Sequence, residues 1–280
     1  MRGCLLVVLA LLLGAGEDPV SWIGRYDLGE KKPEAHALPR KLREASGLAV
    51  SDSGRLFTHN DELGVIYELD PAGGSVVGSF SLGHFTPEED FEGIAIKADT
   101  MFLVTSNGNI FRFRLAPHGS RVSFTVLKTP LGSANDVEGL EYDPSTDCLL
   151  LACKGRAGIT AEERKRWKDF RAVYAFSLQE GRLRRDPRFL IPLDLVGGGR
   201  FNPSGIARHP LSGTFFVLAA EGSRLVELAP RGEILGLEQI RAKENPNPEG
   251  IAFLGDGTLV LINDADTDQS LTLYPPRPAE

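Results

Sequence analysis

The sequence predicts an all-β fold, a five-bladed β-propeller, from two observations. The first is a short phrase that occurs five times, as EASGLAV, DFEGIAI, DVEGLEY, NPSGIAR and NPEGIAF. Its glycines stand at positions 47, 93, 139, 205 and 250, with spacings of 46, 46, 66 and 45 residues. The second is that short apolar runs and turn residues follow every phrase, which is typical of blades of about 45 residues. Six blades are the alternative, since the longest interval has room for one degenerate unit.

Each unit is expected to contain four strands, of which the phrase is the first. The second strands are predicted in RLFTHND, MFLVTSN, CLLLACK, TFFVLAA and TLVLIND, and the third in GVIYELD, NIFRFRL, AVYAFSL, RLVELAP and SLTLYPP. Four units continue into a fourth strand, in VVGSFSL, VSFTVLK, RFLIPLD and EILGLEQ. The fifth has none, but SWIGRYDLG (21–29) has the pattern of SVVGSFSLG (75–83). This N-terminal strand is predicted to complete the last blade, which closes the ring without an open edge.

The longest interval is predicted to hold a helical insertion at about residues 158–170, between the second and third strands of the third blade. Thr160, with Glu163 three residues later, forms a capping box, which signals the start of a helix. Four basic residues follow in this stretch: Arg164, Lys165, Arg166 and Lys168. Two interpretations are open, a binding site for a partner or a solvated helix face, and runs of charge favour the solvated face.

The first sixteen residues have the layout of a secretory signal peptide. Arg2 supplies a positive start, residues 4–13 are an unbroken apolar run, and residues 14–16 are small enough for cleavage. The run is too short to span a bilayer, although an uncleaved membrane anchor is the alternative. We therefore expect an exported protein, periplasmic or secreted, without a membrane span in the mature chain. Residues 17–280 are expected to form a single propeller domain.

Composition limits the possible partners. The 280 residues include 31 Lys and Arg against 38 Asp and Glu, a net charge of −7. Such a chain lacks the basic field that binds nucleic acid, so a nucleic-acid partner is not expected. Cys148 and Cys153 lie beyond the signal peptide, and because they are five residues apart on one strand they point to opposite faces. Both are expected to be core thiols, too far apart for a disulfide.

The five phrases, together with THND and LINDAD, resemble the SdiA-regulated family of exported bacterial propeller proteins. The resemblance extends over essentially the whole mature chain, from about Trp22 to Pro275. It implies a propeller, commonly with bound calcium, and a physiological role that is poorly defined for the family itself. It implies no particular reaction. Lactonase-type propellers and relatives of esterase-like phytases have similar Glu-Gly turns, so the order of the phrases carries the resemblance.

The same phrases predict a metal site at the mouth of the ring. The first strand of each blade lines the axis, so equivalent residues meet in one ring: Ser46, Glu92, Glu138, Ser204 and Glu249. The second strands return to this face, and carboxylates so close together need a cation or Lys154 to compensate their charge. Hard oxygen ligands favour Ca²⁺ or Mg²⁺ over Zn²⁺, and export favours Ca²⁺. The predicted ligands are drawn from five carboxylates: Glu92, Glu138, Glu249, Asp61 and Asp264. In the alternative interpretation, the Glu-Gly turn only caps backbone amides.

Two functions remain open. The first is a non-catalytic exported propeller, a monomer that binds calcium and serves as a scaffold for an unknown small molecule or protein. The alternative is a metal-dependent hydrolase that acts on a phosphoester, ester or lactone at the channel mouth. His59 in THND is the candidate general base, although a single His beside a turn is more often a hydrogen-bonding residue. The GxSxG motif of a nucleophile elbow does not occur in the sequence.

Overall fold

The computed structural model describes residues 20–29, 32–264 and 269–278. Within these ranges the chain folds into five mainly antiparallel sheets, and the first strands of neighbouring sheets contact one another in cyclic order. The predicted five-bladed propeller is therefore confirmed, and these ranges contain no sixth blade. The predicted signal peptide, residues 1–16, lies outside the described residues. No helix in the described ranges is long and apolar enough to cross a membrane.

The strands follow the predicted order of the repeat. β1 (Glu34–Ala37) precedes the first blade, which comprises β2 (Ala45–Val50), β3 (Leu56–Asn60), β4 (Val65–Leu69) and β5 (Val76–Leu82). The second blade has β6 (Phe91–Lys97), β7 (Thr100–Thr105) and β8 (Ile110–Arg114); the short β9 (Arg121–Val122) pairs in parallel with β5, and β10 (Phe124–Leu127) then completes the blade.

The remaining three blades repeat this arrangement. The third has β11 (Val137–Asp143), β12 (Cys148–Cys153) and β13 (Phe170–Ser177), with β14 (Arg182–Leu183) and β15 (Phe189–Pro192) both paired to β13. The fourth has β16 (Pro203–Arg208), β17 (Phe215–Ala219), β18 (Arg224–Leu228) and β19 (Ile234–Gln239). The fifth has β20 (Pro248–Phe253), β21 (Leu259–Asn263) and β22 (Ser270–Tyr274). Short 3₁₀ helices occur at Ile23–Arg25, Arg40–Leu42, Leu193–Leu195 and Gly198–Arg200.

An N-terminal strand completes the last blade, as predicted, but it is not the predicted segment. The closing strand is β1, which pairs antiparallel with β22. The prediction that residues 21–29 form this strand is wrong, because they contain the 3₁₀ helix instead. The backbone amides of Trp22 and Ile23 donate to Glu227 Oε2 at 2.8 and 2.9 Å. Because this buried carboxylate of the fourth blade accepts hydrogen bonds from these backbone amides, they are not available to pair with a neighbouring strand.

Close packing of the first strands around the axis explains the glycine of each phrase. A Cβ at Gly93 would lie 2.7 Å from the backbone nitrogen of Leu140, and one at Gly139 would lie 3.0 Å from the backbone of Gly205. A side chain at these positions would therefore collide with the next blade. The five phrases line a void of only about 10 Å³, which is at the lower limit of the space that one water molecule needs. The axis is thus closed at its middle, with a separate mouth at each end.

The hydrophobic core is divided among the seams between neighbouring blades, each filled by buried aliphatic and aromatic side chains. Cys153 packs in the seam between the second and third blades, and Cys148 packs in the seam between the third and fourth. Both cysteines are fully buried free thiols. The prediction of two core thiols on opposite faces of one strand is confirmed.

The predicted helical insertion is also confirmed. α1 (Ala161–Arg166) lies between β12 and β13. Thr160 Oγ1 accepts a hydrogen bond from Glu163 N at 3.2 Å, and the Glu163 carboxylate accepts one from Thr160 N at 3.1 Å. No residue of α1 is buried. The capping box, rather than burial of an apolar face, therefore holds this short helix.

Candidate functional site

Three glutamates form an acidic ring at one end of the axis: Glu92, Glu138 and Glu249. They come from the second, third and fifth blades, and each lies at a register shift between the first and second strands. Such a bulge turns its extra residue out of the hydrogen-bonded ladder. The repeat phrase therefore directs the same position of each blade towards the same mouth. This is the ring that the sequence predicts.

The two serines at the equivalent positions bind backbone. Ser204 Oγ donates to the carbonyl oxygen of Pro248 at 2.9 Å, and Ser46 Oγ donates to that of Glu92 at 3.3 Å. Each bond joins one blade to the next. The two serines thus have a structural role in the repeated turn, where they bind backbone, whereas the three glutamates supply the negative charge of the mouth.

Burial and mutual repulsion dominate the electrostatics of the acidic ring. Desolvation raises the pKa of Glu92, and the charges of Glu138, Asp90 and Glu249 raise it further. Desolvation also raises the pKa values of Glu138 and Glu249. A carboxylate whose pKa is raised is one whose charge the surroundings do not balance. The acidic ring therefore has an unmet affinity for positive charge.

Lys154, which follows β12, supplies part of the compensation. Its Nζ lies 3.0 Å from Glu138 Oε1, and the Glu138 side chain is buried whereas that of Lys154 is half-exposed. Burial lowers the pKa of Lys154, but the charges of Glu138, Glu249 and Asp136 outweigh that effect and raise it overall. The charge of Lys154 in turn lowers the pKa of Glu249. The ammonium of Lys154 therefore offsets part of the charge of Glu138 and Glu249.

The two predicted aspartate ligands lie in different surroundings. Asp264 is adjacent to the acidic ring, because its charge raises the pKa of Glu249. Asp61 Oδ1 is buried without a hydrogen-bond partner, and desolvation together with Glu44 and Glu62 raises the pKa of Asp61 to about 6. The charges that act on Asp61 thus come from its own loop and from the start of the first blade.

The donor set of the acidic ring fits a hard divalent cation in its chemistry. Its side-chain donors are carboxylate oxygens, and Asn247 Nδ2 donates to Glu249 Oε1 at 2.7 Å, which places an amide beside them. Within residues 20–29, 32–264 and 269–278, however, no three Asp, Glu, His or Cys side chains lie close enough to hold one ion together. A bound cation would therefore need water, carbonyl or amide oxygens to complete its shell.

His59, the candidate general base, is fully buried. Its Nδ1 lies 3.0 Å from the carbonyl oxygen of Asn60, and its Nε2 is buried without a partner beside Gly47. Burial lowers the pKa of His59 to about 4. The imidazole is neutral near pH 7 but packed away from solvent, so it has no route to a substrate in this conformation.

The opposite mouth holds a cavity of about 370 Å³ that the sequence interpretation did not anticipate. Glu141 and Arg208 line it, and Glu141 Oε2 accepts a hydrogen bond from Arg208 N at 3.1 Å. Burial raises the pKa of Glu141 to about 7, so this carboxyl can exchange a proton near neutral pH. The signal is visible in the phrases: Glu141 stands where the other four have Ala49, Ala95, Ala207 and Ala252.

Among solved structures, similar folds occur in proteins of very different activity. Glutaminyl cyclase from Myxococcus xanthus has a TM-score of 0.54 at 14% identity, covering 88% of this chain and 96% of that chain. The PQQ-bound aldose sugar dehydrogenase from Streptomyces coelicolor has a TM-score of 0.53 at 16% identity, covering 87% and 98%. A luciferin-regenerating enzyme has 0.52 at 12% identity, covering 89% and 98%. At such identities the likeness shows the fold alone.

No match was found among curated proteins. The family model described as SdiA-regulated matches residues 186–274, which include the last strand of the third blade and nearly all of the fourth and fifth. The resemblance drawn from the repeat phrases is therefore confirmed over residues 186–274, and in this segment the five-bladed propeller is similar to the SdiA-regulated family.

Proposed function

We propose that the acidic ring binds one divalent cation, Ca²⁺, and that the protein is an exported propeller that serves as a scaffold for a small-molecule or protein ligand. The negative charge of the ring, which its surroundings only partly compensate, is the observation that most directly supports a bound cation. Three desolvated carboxylates have raised pKa values, and the ammonium of Lys154 is paired with one of them, Glu138. A divalent cation would stabilise their ionised forms and remove the repulsion among them.

The chemistry of the donors favours Ca²⁺ over other ions. One or two of Glu92, Glu138 and Glu249 would bind the ion, with the charge of Asp264 adjacent to Glu249 and with water, carbonyl or amide oxygens completing the shell. Ca²⁺ accepts six to eight oxygen ligands in flexible geometry, whereas Mg²⁺ demands a near-ideal octahedron. A ring in which no three acidic side chains converge suits the more permissive ion. The bound ion would supply charge neutralisation and fix the mouth of the propeller.

Calorimetric titration of chelator-treated protein with Ca²⁺ tests this function. Wild-type protein should bind one equivalent, and Glu92→Gln should weaken binding by about tenfold or more, since it removes one of the carboxylate donors. Glu233→Gln is the matched control, because it removes an exposed carboxylate from a turn of the fourth blade. Absence of binding heat together with an unchanged melting temperature would contradict the proposal.

One observation favours the alternative, a metal-dependent hydrolase. The raised pKa of Glu92 keeps a proton on this carboxyl at a higher pH than on an ordinary glutamate, as a general acid requires. Chromogenic phosphate, ester and lactone substrates, tested with Ca²⁺ present, separate the two functions. Turnover that disappears in Glu138→Gln would establish the hydrolase, and absence of turnover in a protein that binds Ca²⁺ would support the scaffold.

A further inference from the structure

A basic cleft lies beside the helical insertion, on the same face of the propeller as the acidic ring. Its volume is about 510 Å³. Five basic side chains line it, from the loop after β12, from α1 and the turn that follows it, and from the start of β13: Arg156, Arg164, Lys165, Lys168 and Arg171. Its other described lining residues are Ala157 and Ala161, so no described lining residue is acidic. In a chain of net charge −7, this is a local reversal of sign.

Among these residues, Arg171 gives the strongest indication of an anion-binding site. Its Nη2 donates to Asn202 Oδ1 at 2.5 Å, and its Nε is buried without a hydrogen-bond partner. Burial lowers the pKa of Arg171, and the charge of Glu221 only partly offsets this. The Glu221 carboxylate accepts a hydrogen bond from the side-chain amide of Asn202 rather than from Arg171. A desolvated guanidinium without a direct carboxylate partner is costly unless an anion completes its contacts.

One of the two acidic residues of α1, Glu163, is already engaged in the capping box. The Glu163 carboxylate accepts from the backbone amides of Ile159 and Thr160, at 2.9 and 3.1 Å. Arg164 Nη1 donates to the carbonyl oxygen of Ile159 at 2.5 Å, which fixes this guanidinium at the edge of the cleft. The guanidinium groups of Arg164 and Arg171 are thus held by neutral oxygen atoms, those of Ile159 and Asn202.

We propose that the basic cleft binds a small, soluble anionic ligand that carries a phosphate group. Guanidinium groups bind phosphate oxygens through paired, charge-assisted hydrogen bonds, and lysines add point charge. A cleft of this size accommodates a small molecule. Three of the four basic residues predicted to form a solvated helix face line this cleft, and only Arg166 does not. The site is separate from the acidic ring, so it stands whether or not the ring binds a cation.

Calorimetric titration with pyrophosphate and with phenyl phosphate, in resin-treated metal-free buffer of constant ionic strength, tests the proposal. We expect one site for each probe. Arg171→Gln should weaken binding by about tenfold or more, because it removes the partly buried guanidinium. Lys168→Gln should weaken it by a few fold, in the range of one exposed charge contact. Lys168 is exposed, so this second variant tests the cleft even if Arg171→Gln does not fold.

Arg166→Gln is the matched control, since it removes the same charge from α1 but its side chain lies over the Trp167 ring. It should leave the affinity for pyrophosphate unchanged, as should Glu92→Gln in the acidic ring. Equal weakening by Arg166→Gln and Lys168→Gln would overturn the proposal, because it would indicate general attraction. Binding that requires added Ca²⁺, or binding only to vesicles of phosphatidic acid in phosphatidylcholine, would also overturn it. So would the absence of heat with both probes.

Discussion

The acidic ring and the basic cleft share one face of the propeller but arise in opposite ways. The acidic ring comes from the repeat, because the same bulge in the second, third and fifth phrases directs a glutamate to the axis. The basic cleft comes from a departure from the repeat, the insertion between β12 and β13. Lys154 joins them: it pairs with Glu138 and stands two residues before Arg156 of the cleft. The repeat supplies a negatively charged mouth, and the insertion adds a positively charged cleft beside it.

The two regions also differ in what holds them. The acidic ring rests on backbone contacts between neighbouring blades, where a Cβ at Gly139 would collide with Gly205. The basic cleft rests on a helix without buried residues, held by a capping box. Changes beneath the ring should therefore affect the whole fold, whereas changes beneath the cleft should remain local.

The largest effect is expected from Gly139→Ala. The added methyl group would lie about 3.0 Å from backbone atoms of the fourth blade, so the free energy of unfolding should fall by about 3 kcal/mol. Chemical denaturation measures this loss. Gly132→Ala is the control, because a Cβ there would meet nothing within 4 Å. Equal stability of the two variants would show that the first strands are not closely packed at the axis.

The next effect is a dependence of stability on pH in metal-free protein. The pKa of Glu92 in the folded state lies above its ordinary value of 4.5, so the folded state holds this proton more tightly than the unfolded state. Its contribution to stability is full below pH 4.5 and is lost as pH rises through the folded-state pKa. The raised pKa values of Glu138 and Glu249 act in the same direction.

Thermal unfolding of metal-free protein at about pH 5 and about pH 8 measures this loss. The melting temperature of wild-type protein should fall between the two, and Glu92→Gln should reduce the fall. About 5 mM Ca²⁺ should restore stability more at the higher pH, because the ion binds ionised carboxylates. A Ca²⁺ effect that is the same at both pH values would argue against the acidic ring as the site.

Lys154→Gln tests the residue that joins the two regions. It removes the internal cation of the acidic ring, so metal-free protein at about pH 8 should be less stable and Ca²⁺ should bind a few fold more tightly. Lys128→Gln is the control, because it removes an exposed lysine that directly follows β10, the outer strand of the second blade. Weaker Ca²⁺ binding in Lys154→Gln would show that the ammonium supports the ion site rather than competing with it.

The smallest effect is expected from Thr160→Ala. Loss of the cap should cost the chain at most about 1 kcal/mol, because α1 buries no residue. Hydrogen exchange should nevertheless become faster in residues 161–167, and the affinity of the basic cleft for pyrophosphate should fall as α1 loses order. Global destabilisation as large as that of Gly139→Ala would show that the insertion is part of the core.

The repeat made much of the fold predictable. Five copies of one phrase locate five first strands, their bulges and the three glutamates, because equivalent positions in a ring come together. The sequence pattern predicts the wrong segment for the closing strand, because the apolar pattern of residues 21–29 suits a strand as well as a packed turn. Glu227, a buried carboxylate about two hundred residues away, favours the packed turn because it accepts hydrogen bonds from the backbone amides of this segment.

The basic cleft could not be predicted from the run of charges alone. Arg164, Lys165 and Lys168 are adjacent in the sequence, but Arg156 and Arg171 reach the cleft only through the path of the insertion. Nothing in the sequence distinguishes Arg166, which does not line it. Glu141 was easier to identify from the sequence, because it stands at a position that alanine occupies in the other four phrases. In a repeat protein, a polar departure from the repeat is a signal in its own right.

The central claim, that the acidic ring binds a divalent cation, is tested most directly by anomalous scattering from a crystal grown with Ca²⁺. We predict one anomalous peak at the mouth of the axis, with oxygens of Glu92, Glu138 or Glu249 at about 2.3–2.6 Å from it. A well-ordered mouth without a peak, or a peak whose ligands come from elsewhere in the chain, would show that the acidic ring does not bind a divalent cation.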